Sequence, residues 1–183
     1  MKPTRAAAVV VAIFADPPHR VVFVERAAHL RDHPGQIGLP GGAADPDEGD
    51  DRRCTALREL YEEVGIASDR IQLVGELAEV RQRVNNFVVR PFVGVVTPGT
   101  KLSFDENETA AVFTVPLAQI VRADAIRLGI EHVGEHAVET YIFDYETRHI
   151  WGLTARMLYD FAQRYNDATD PLRERIEGVL ARF

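Results

Sequence analysis

The first strong hydrophobic signal is the unbroken run Ala6 to Phe14 (AAAVVVAIF), which predicts a strand buried on both faces. Asp16-Pro17-Pro18-His19 reads as a turn, and Val21 to Glu25 as a second strand, so the chain opens with a hairpin. Ala27 to Asp50 has no apolar period and carries glycines and prolines throughout. A loop of that length in a compact chain is usually functional. The spacing then predicts a helix from Asp51 to Val64, with Asp50 or Asp51 as N-cap and Gly65 as C-cap. At about 100° per residue, Leu57, Leu60, Tyr61 and Val64 fall in one arc. Glu59, Glu62 and Glu63 fall roughly opposite. Further strands are expected at Ile71–Val80, Phe87–Val96, Thr109–Val115 and Thr140–Tyr145. Pro91, which cannot donate to a ladder, calls for an edge or a bulge. Helices are expected at Leu117–Val121, Leu153–Tyr165 and Pro171–Ala181. There is no repeat, low-complexity tract or linker. Strands with interspersed, non-alternating helices point to α/β or α+β with a mixed sheet, as one domain over residues 1–183.

Composition narrows the function classes. With 46% hydrophobic and 27% charged residues, the 183-residue chain reads as an ordinary globular protein. A net charge of −7 argues against a non-specific nucleic-acid or anionic-membrane binder. It leaves room for an anionic ligand, because bound cations and local arginines can invert a site's field. The lone Cys54 fits a reducing compartment and reads as a small packing residue rather than a nucleophile. Ala6 to Phe14 is too short for a secretory signal, and no run approaches the roughly 18 apolar residues that span a bilayer. The expectation is a cytoplasmic protein with no membrane partner, monomeric or homodimeric.

The glutamates at 59, 62 and 63 change the picture most. Carboxylates at i, i+3 and i+4 repel one another by a few tenths of a kcal/mol per pair. A divalent cation reverses the sign of that term, since carboxylate oxygens are natural ligands of Mg²⁺ or Mn²⁺. A solvated acidic face is the alternative. Just upstream, Leu39-Pro40-Gly41-Gly42 can adopt backbone shapes closed to residues with a Cβ, and so approach a metal or phosphate.

Together these segments resemble the Nudix hydrolases, whose signature runs Gly, five residues, Glu, seven residues, Arg-Glu-apolar-x-Glu-Glu-x-Gly-apolar. Gly42 supplies the first glycine, and Arg58, Glu59, Leu60, Glu62, Glu63, Gly65 and Ile66 match the end. The middle departs from the pattern. Glu48 has the expected distance from Gly42, whereas Asp50 has the expected distance to Arg58, so a two-residue insertion lies between them. Arg26-Ala27-Ala28, Arg31, Gly35 and Leu39 to Gly42 are similar to the element ahead of the box in coenzyme A pyrophosphatases. Pro91-Phe92-Val93-Gly94, Glu108 to Phe113, Val115-Pro116-Leu117 and Ile150 to Ala155 are similar to later segments of that subfamily.

The resemblance implies a Nudix fold, a mixed sheet between helices. It also implies metal-dependent hydrolysis of the diphosphate of coenzyme A or its derivatives, giving 3′,5′-ADP and 4′-phosphopantetheine or its acyl form. Glu59, Glu62 and Glu63 are the expected ligands of Mg²⁺ or Mn²⁺, with Glu62, Glu108 and Arg58 in catalysis. Glu108 would be a further ligand or the general base, and its alternative is a surface glutamate beside Asp105 and Glu106. Arg58 is expected to pair with Glu48 or Asp50 and orient the ligands. Arg31, Arg26 and Arg83, with Arg81, are candidates for the anionic substrate, and Gly41 and Gly42 for backbone contacts to it. His29 and His33 read as polar packing or ligand contacts, and Phe87 and Phe92 as core. The nearest rival is a Nudix pyrophosphatase for another nucleotide, such as a dNTP or ADP-ribose. A non-catalytic nucleotide-binding module is the rival from another class, but such modules typically lose helix carboxylates that are all present here.

Overall fold

In the computed structural model, which describes residues 4–29, 34–82, 86–107 and 109–183, the apolar run forms β1 (Arg5–Phe14). Strand alternation sends Ala8, Val10 and Ala12 to one face and Ala7, Val11 and Ile13 to the other, and both sets are buried. A strand of this composition suits the middle of a layered protein. Along one side β1 pairs in parallel with β7 (Phe87–Val96) over its whole length. On the other side it meets β2 (Arg20–Arg26) only at Ile13–Val21, after which the two strands diverge. The fork is filled by β3 (Ile37–Gly38) on β2 and β4 (Gly41–Ala43) on β1. The long upstream loop is therefore partly sheet.

Beyond β7 lie β5 (Ile71–Glu76) and β6 (Val80–Gln82), and β8 (Thr109–Pro116) flanks β2. The β1/β7 pair is parallel and its neighbours antiparallel, which makes the sheet mixed, as the pattern predicts. Pro91 is not on an edge strand. It sits inside β7, opposite the break between β5 and β6, where its carbonyl accepts the Leu77 N–H at 2.8 Å. The single strand expected over Ile71–Val80 is split at that break.

Helix α1 (Arg52–Val64) covers one face of the sheet, while α3 (Gly152–Asn166) and α4 (Leu172–Leu180) cover the other; α2 (Leu117–Ile120) is a single short turn. A second sheet, β9 (Ile126–Val133), β10 (His136–Tyr145) and β11 (Arg148–Trp151), was not foreseen beyond Thr140–Tyr145. Its Phe143 and Ile150 belong to the same buried cluster as Val11, Val93, Phe161 and Ile176, so both sheets share one core. Phe92 is buried, and Phe87 is half-buried beneath the Arg5 guanidinium, 4.4 Å from its ring centre.

Candidate active site

Helix α1 begins at Asp51, whose side chain accepts the Arg53 N–H at 3.0 Å. It ends at Gly65, where φ is 73° and the N–H donates to the Tyr61 carbonyl at 2.9 Å. Its buried surface is Thr55, Ala56, Leu60 and Val64. This arc is rotated from the expected one: Tyr61, placed inside by the pattern, is 59% exposed. Cys54 is exposed as well, which corrects its reading as a packing residue. The small side chains Thr55 and Ala56 let the helix settle onto β1 and β4. That turn of the axis brings Glu59 and Glu63 round toward the glycine pair.

At that contact Gly41 donates its N–H to Glu63 Oε2 at 2.9 Å. Gly41 has φ of 153°, and a Cβ there would stand 2.2 Å from the Ala8 carbonyl oxygen. Only glycine can make this turn against β1. At Gly42 a Cβ would stand 2.5 Å from the carboxylate of Glu59. The two glycines thus form a shallow cradle for two helix carboxylates.

Arg58 ties the acidic groups together. Its Nε donates to Glu48 Oε1 at 2.8 Å, and its Nη1 to Glu59 Oε1 at 2.9 Å and Glu62 Oε2 at 2.8 Å. Nη2 donates to the Ala43 carbonyl at 2.9 Å, and Asp45 Oδ2 lies 3.5 Å from Nε. Glu48 also accepts from Thr55 Oγ1 at 2.7 Å and from the Asp45 N–H at 2.9 Å. The Arg58 guanidinium, aided by these bonds, holds the Glu48 carboxyl down at about 2. Asp50 is fully exposed, 4.0 Å from Arg52. The insertion is thereby resolved: Glu48 holds Arg58, and Gly49-Asp50 is the added turn. Asp45 and Thr55 were not anticipated. Their signal is faint, a polar residue inside an apolar helix arc and one aspartate among several in a loop.

Glu59 behaves oppositely. Burial against β4 pushes its carboxyl above the usual carboxylate range, more than Arg58 lowers it. The three helix glutamates do not converge. Glu59 and Glu62 share Arg58 Nη1, Glu63 binds Gly41, and Glu62 is mostly exposed. Among the described residues, no group of three or more His, Cys, Asp or Glu side chains is arranged to hold an ion. The chemistry of the donors nonetheless suits a hard cation. Asp45, Glu48, Glu59 and Glu62 are carboxylates gathered at one guanidinium, Glu63 lies one turn along the helix from Glu59 against Gly41, and the missing Cβ of Gly42 makes room for the Glu59 carboxylate.

The arginines are dispersed. Arg26 ends β2 and pairs in register with Thr109 of β8, whereas exposed Arg81 lies on β6, beyond β1 and β7. Arg31, Arg83, His33 and Glu108 lie outside the described residues.

Comparison with known proteins agrees with this geometry. The NUDIX domain model matches residues 3–135. An uncharacterized Nudix hydrolase NudL from Photorhabdus laumondii is 36% identical over 166 residues, covering 87% of this chain and 84% of the relative. A MutT/nudix family protein from Enterococcus faecalis superposes with a TM-score of 0.56 at 14% identity, over 97% of this chain and 69% of its own. An Ap4A hydrolase from C. elegans superposes with a TM-score of 0.53 at 16% identity, over 64% of this chain and 84% of its own. No helix among the described residues is long and apolar enough to cross a membrane. With the family model covering most of the chain and its signature residues gathered at the α1–β4 contact, the protein belongs to the Nudix hydrolases.

Proposed function

We propose that the protein hydrolyses the diphosphate of coenzyme A or a derivative, using Mg²⁺ or Mn²⁺. The observation that carries the reading is the hydrogen bond from Gly41 to Glu63. It joins the segment similar to the coenzyme A pyrophosphatase element directly to the carboxylate helix. The residues that resemble a specificity element and those that resemble a catalytic one therefore meet at one place.

Glu59 and Glu63, with Glu62 at the rim, are the groups that would hold the cation. Once bound there, it supplies charge neutralisation on the diphosphate and a more acidic water. Arg58 keeps Glu59 and Glu62 aimed while anchored to Glu48 and Ala43. Glu59 would offer its carboxylate to the cation, while Glu48 and the Ala43 carbonyl anchor the Arg58 guanidinium. Gly41 and Gly42 bring backbone groups to the substrate's phosphates. Arg26, Arg31 and Arg83 are the proposed cationic contacts of the anionic substrate, and Glu108 the proposed general base or further ligand.

The pure protein should be assayed with coenzyme A, dephospho-coenzyme A, ADP-ribose and dNTPs in Mg²⁺ and in Mn²⁺. Coenzyme A should give the highest kcat/KM. Glu63→Gln should lower kcat by about 10²-fold or more with the fold intact. Arg31→Ala should erode the preference for coenzyme A over its dephospho form. Higher turnover of a dNTP or ADP-ribose would replace the substrate assignment, and wild-type turnover in Glu63→Gln would remove the metal assignment.

A further inference from the structure

The second sheet carries a surface that the hydrolytic site does not use. Strand β9 closes that sheet, so its outer edge has no strand partner among the described residues. Leu128 and Ile130 on it are 58% and 64% exposed. Long edge strands with apolar side chains usually carry charges that deter pairing. Here the charges are of opposite sign, Arg127 and Glu131, placed symmetrically about Gly129.

We propose that β9 pairs antiparallel with β9 of a second copy of this chain, about a two-fold axis through Gly129. That register is self-complementary on both faces. On one face Leu128 meets Ile130 of the partner subunit, and Ile130 meets the partner's Leu128, making a four-residue apolar patch continuous with Tyr141 beside Leu128. On the other face Arg127 stands opposite the partner's Glu131, and the reverse. Moving the register by two residues places Arg127 opposite the partner's Gly129, which breaks both charge pairs while Leu128 still meets an apolar residue, so the charges set the register. Gly129 at the axis carries no side chain, and the Arg127 Nη1 and Ile142 Cδ1 of its own chain lie over it, 3.1 Å and 2.5 Å from where a Cβ would stand.

The charged groups are already held in place within each chain. Arg127 Nη2 bonds Asp144 Oδ2 at 2.7 Å, and Glu131 Oε1 meets His149 Nε2 at 2.8 Å. Guanidinium and carboxylate groups can each serve a second partner, so the interchain pairs add to these bonds. An isologous contact of this kind closes on itself and yields a dimer rather than a fibre. The outer edge of β9 is thereby paired.

Sedimentation equilibrium of the full chain should show a dimer in the micromolar range. Leu128→Lys/Ile130→Lys should raise its dissociation constant by about tenfold or more, with far-UV circular dichroism unchanged. In a Cys54→Ser background, the pair Leu128→Cys/Ile130→Cys should form an interchain disulfide under mild oxidation. Directly opposed positions lie about 5 Å apart between Cα atoms, within disulfide reach. Peptide mapping should find position 128 joined to position 130, and either single cysteine variant should cross-link poorly because diagonal positions are farther apart. A monomer at about 100 µM, a dimer that survives the double lysine variant, or a disulfide joining position 128 to itself would each overturn the proposal. Hydrolytic activity is not a readout here, so this test stands apart from the substrate panel.

Discussion

Two carboxylates that share Arg58, Glu48 and Glu59, have opposite relations to the fold. Glu48 is ionised by its partners, Arg58 above all, and its charge supports the folded state. Its folded value of about 2 lies below the ordinary 4.5, so its contribution is full above about 4.5 and fades as pH falls toward 2. Glu48→Gln should cost about 1–3 kcal/mol in urea unfolding at pH 7 and should flatten the acid limb of the stability curve. Glu59 carries the reverse sign. Burial penalises its charge, so the penalty is present above its raised folded value and absent below the ordinary one. Glu59→Gln keeps an acceptor for Arg58 and should raise the melting temperature at pH 7, with the gain gone near pH 3. A functional group held in an unfavourable environment is a common site of such a trade. The sequence offers Glu48 or Asp50 as the partner of Arg58; the added bond to Glu59 and the asymmetry come from the fold, because burial against β4 produces the latter.

At the scale of elements, the contact between α1 and β4 decides the site. The pattern located the helix and both its caps, yet misjudged its rotation by taking Tyr61 as an inward residue. Periodicity measures how apolar each arc is, and a tyrosine adds to that arc even where its ring lies in water. What turned the helix was steric: two glycines on one side, Thr55 and Ala56 on the other. Gly41→Ala tests this contact. It places a Cβ against the Ala8 carbonyl and a residue with a side chain at φ of 153°. The strain should cost about 1–3 kcal/mol, read by thermal unfolding, and loss of the Glu63 hydrogen bond should raise the half-saturating Mn²⁺ concentration in the activity assay. An unchanged metal dependence would show that the Gly41–Glu63 bond does not set the ligand's position.

Across the whole molecule, one cluster joins the main sheet, the second sheet and the helices α3 and α4. Phe161 lies fully buried in it. We read residues 1–183 as a single cooperative unit on this basis. Phe161→Ala should lower stability by about 3–5 kcal/mol and should shift one shared unfolding transition, followed by tryptophan fluorescence at Trp151 in β11 and by far-UV circular dichroism. Two separated transitions would divide the second sheet from the first. Most of the strands of the main sheet were legible because β1 and β7 are apolar on both faces. Strand β9 was missed because its alternating residues Leu128 and Ile130 face outward, where no core enforces the pattern.

Local sequence determined the buried central strands, the carboxylate helix with its caps, and the presence of a Nudix signature, since these depend on neighbours within a few residues of each other. The tertiary structure alone decided that Glu48 rather than Asp50 holds Arg58, and that Glu59 and Glu63 turn toward Gly41 and Gly42 while Glu62 stays outside. Those outcomes depend on which backbone segments meet across the fold. The insertion of two residues changes sequence spacing, but a turn at Gly49-Asp50 absorbs it, and a side chain's partner is set by distance in space.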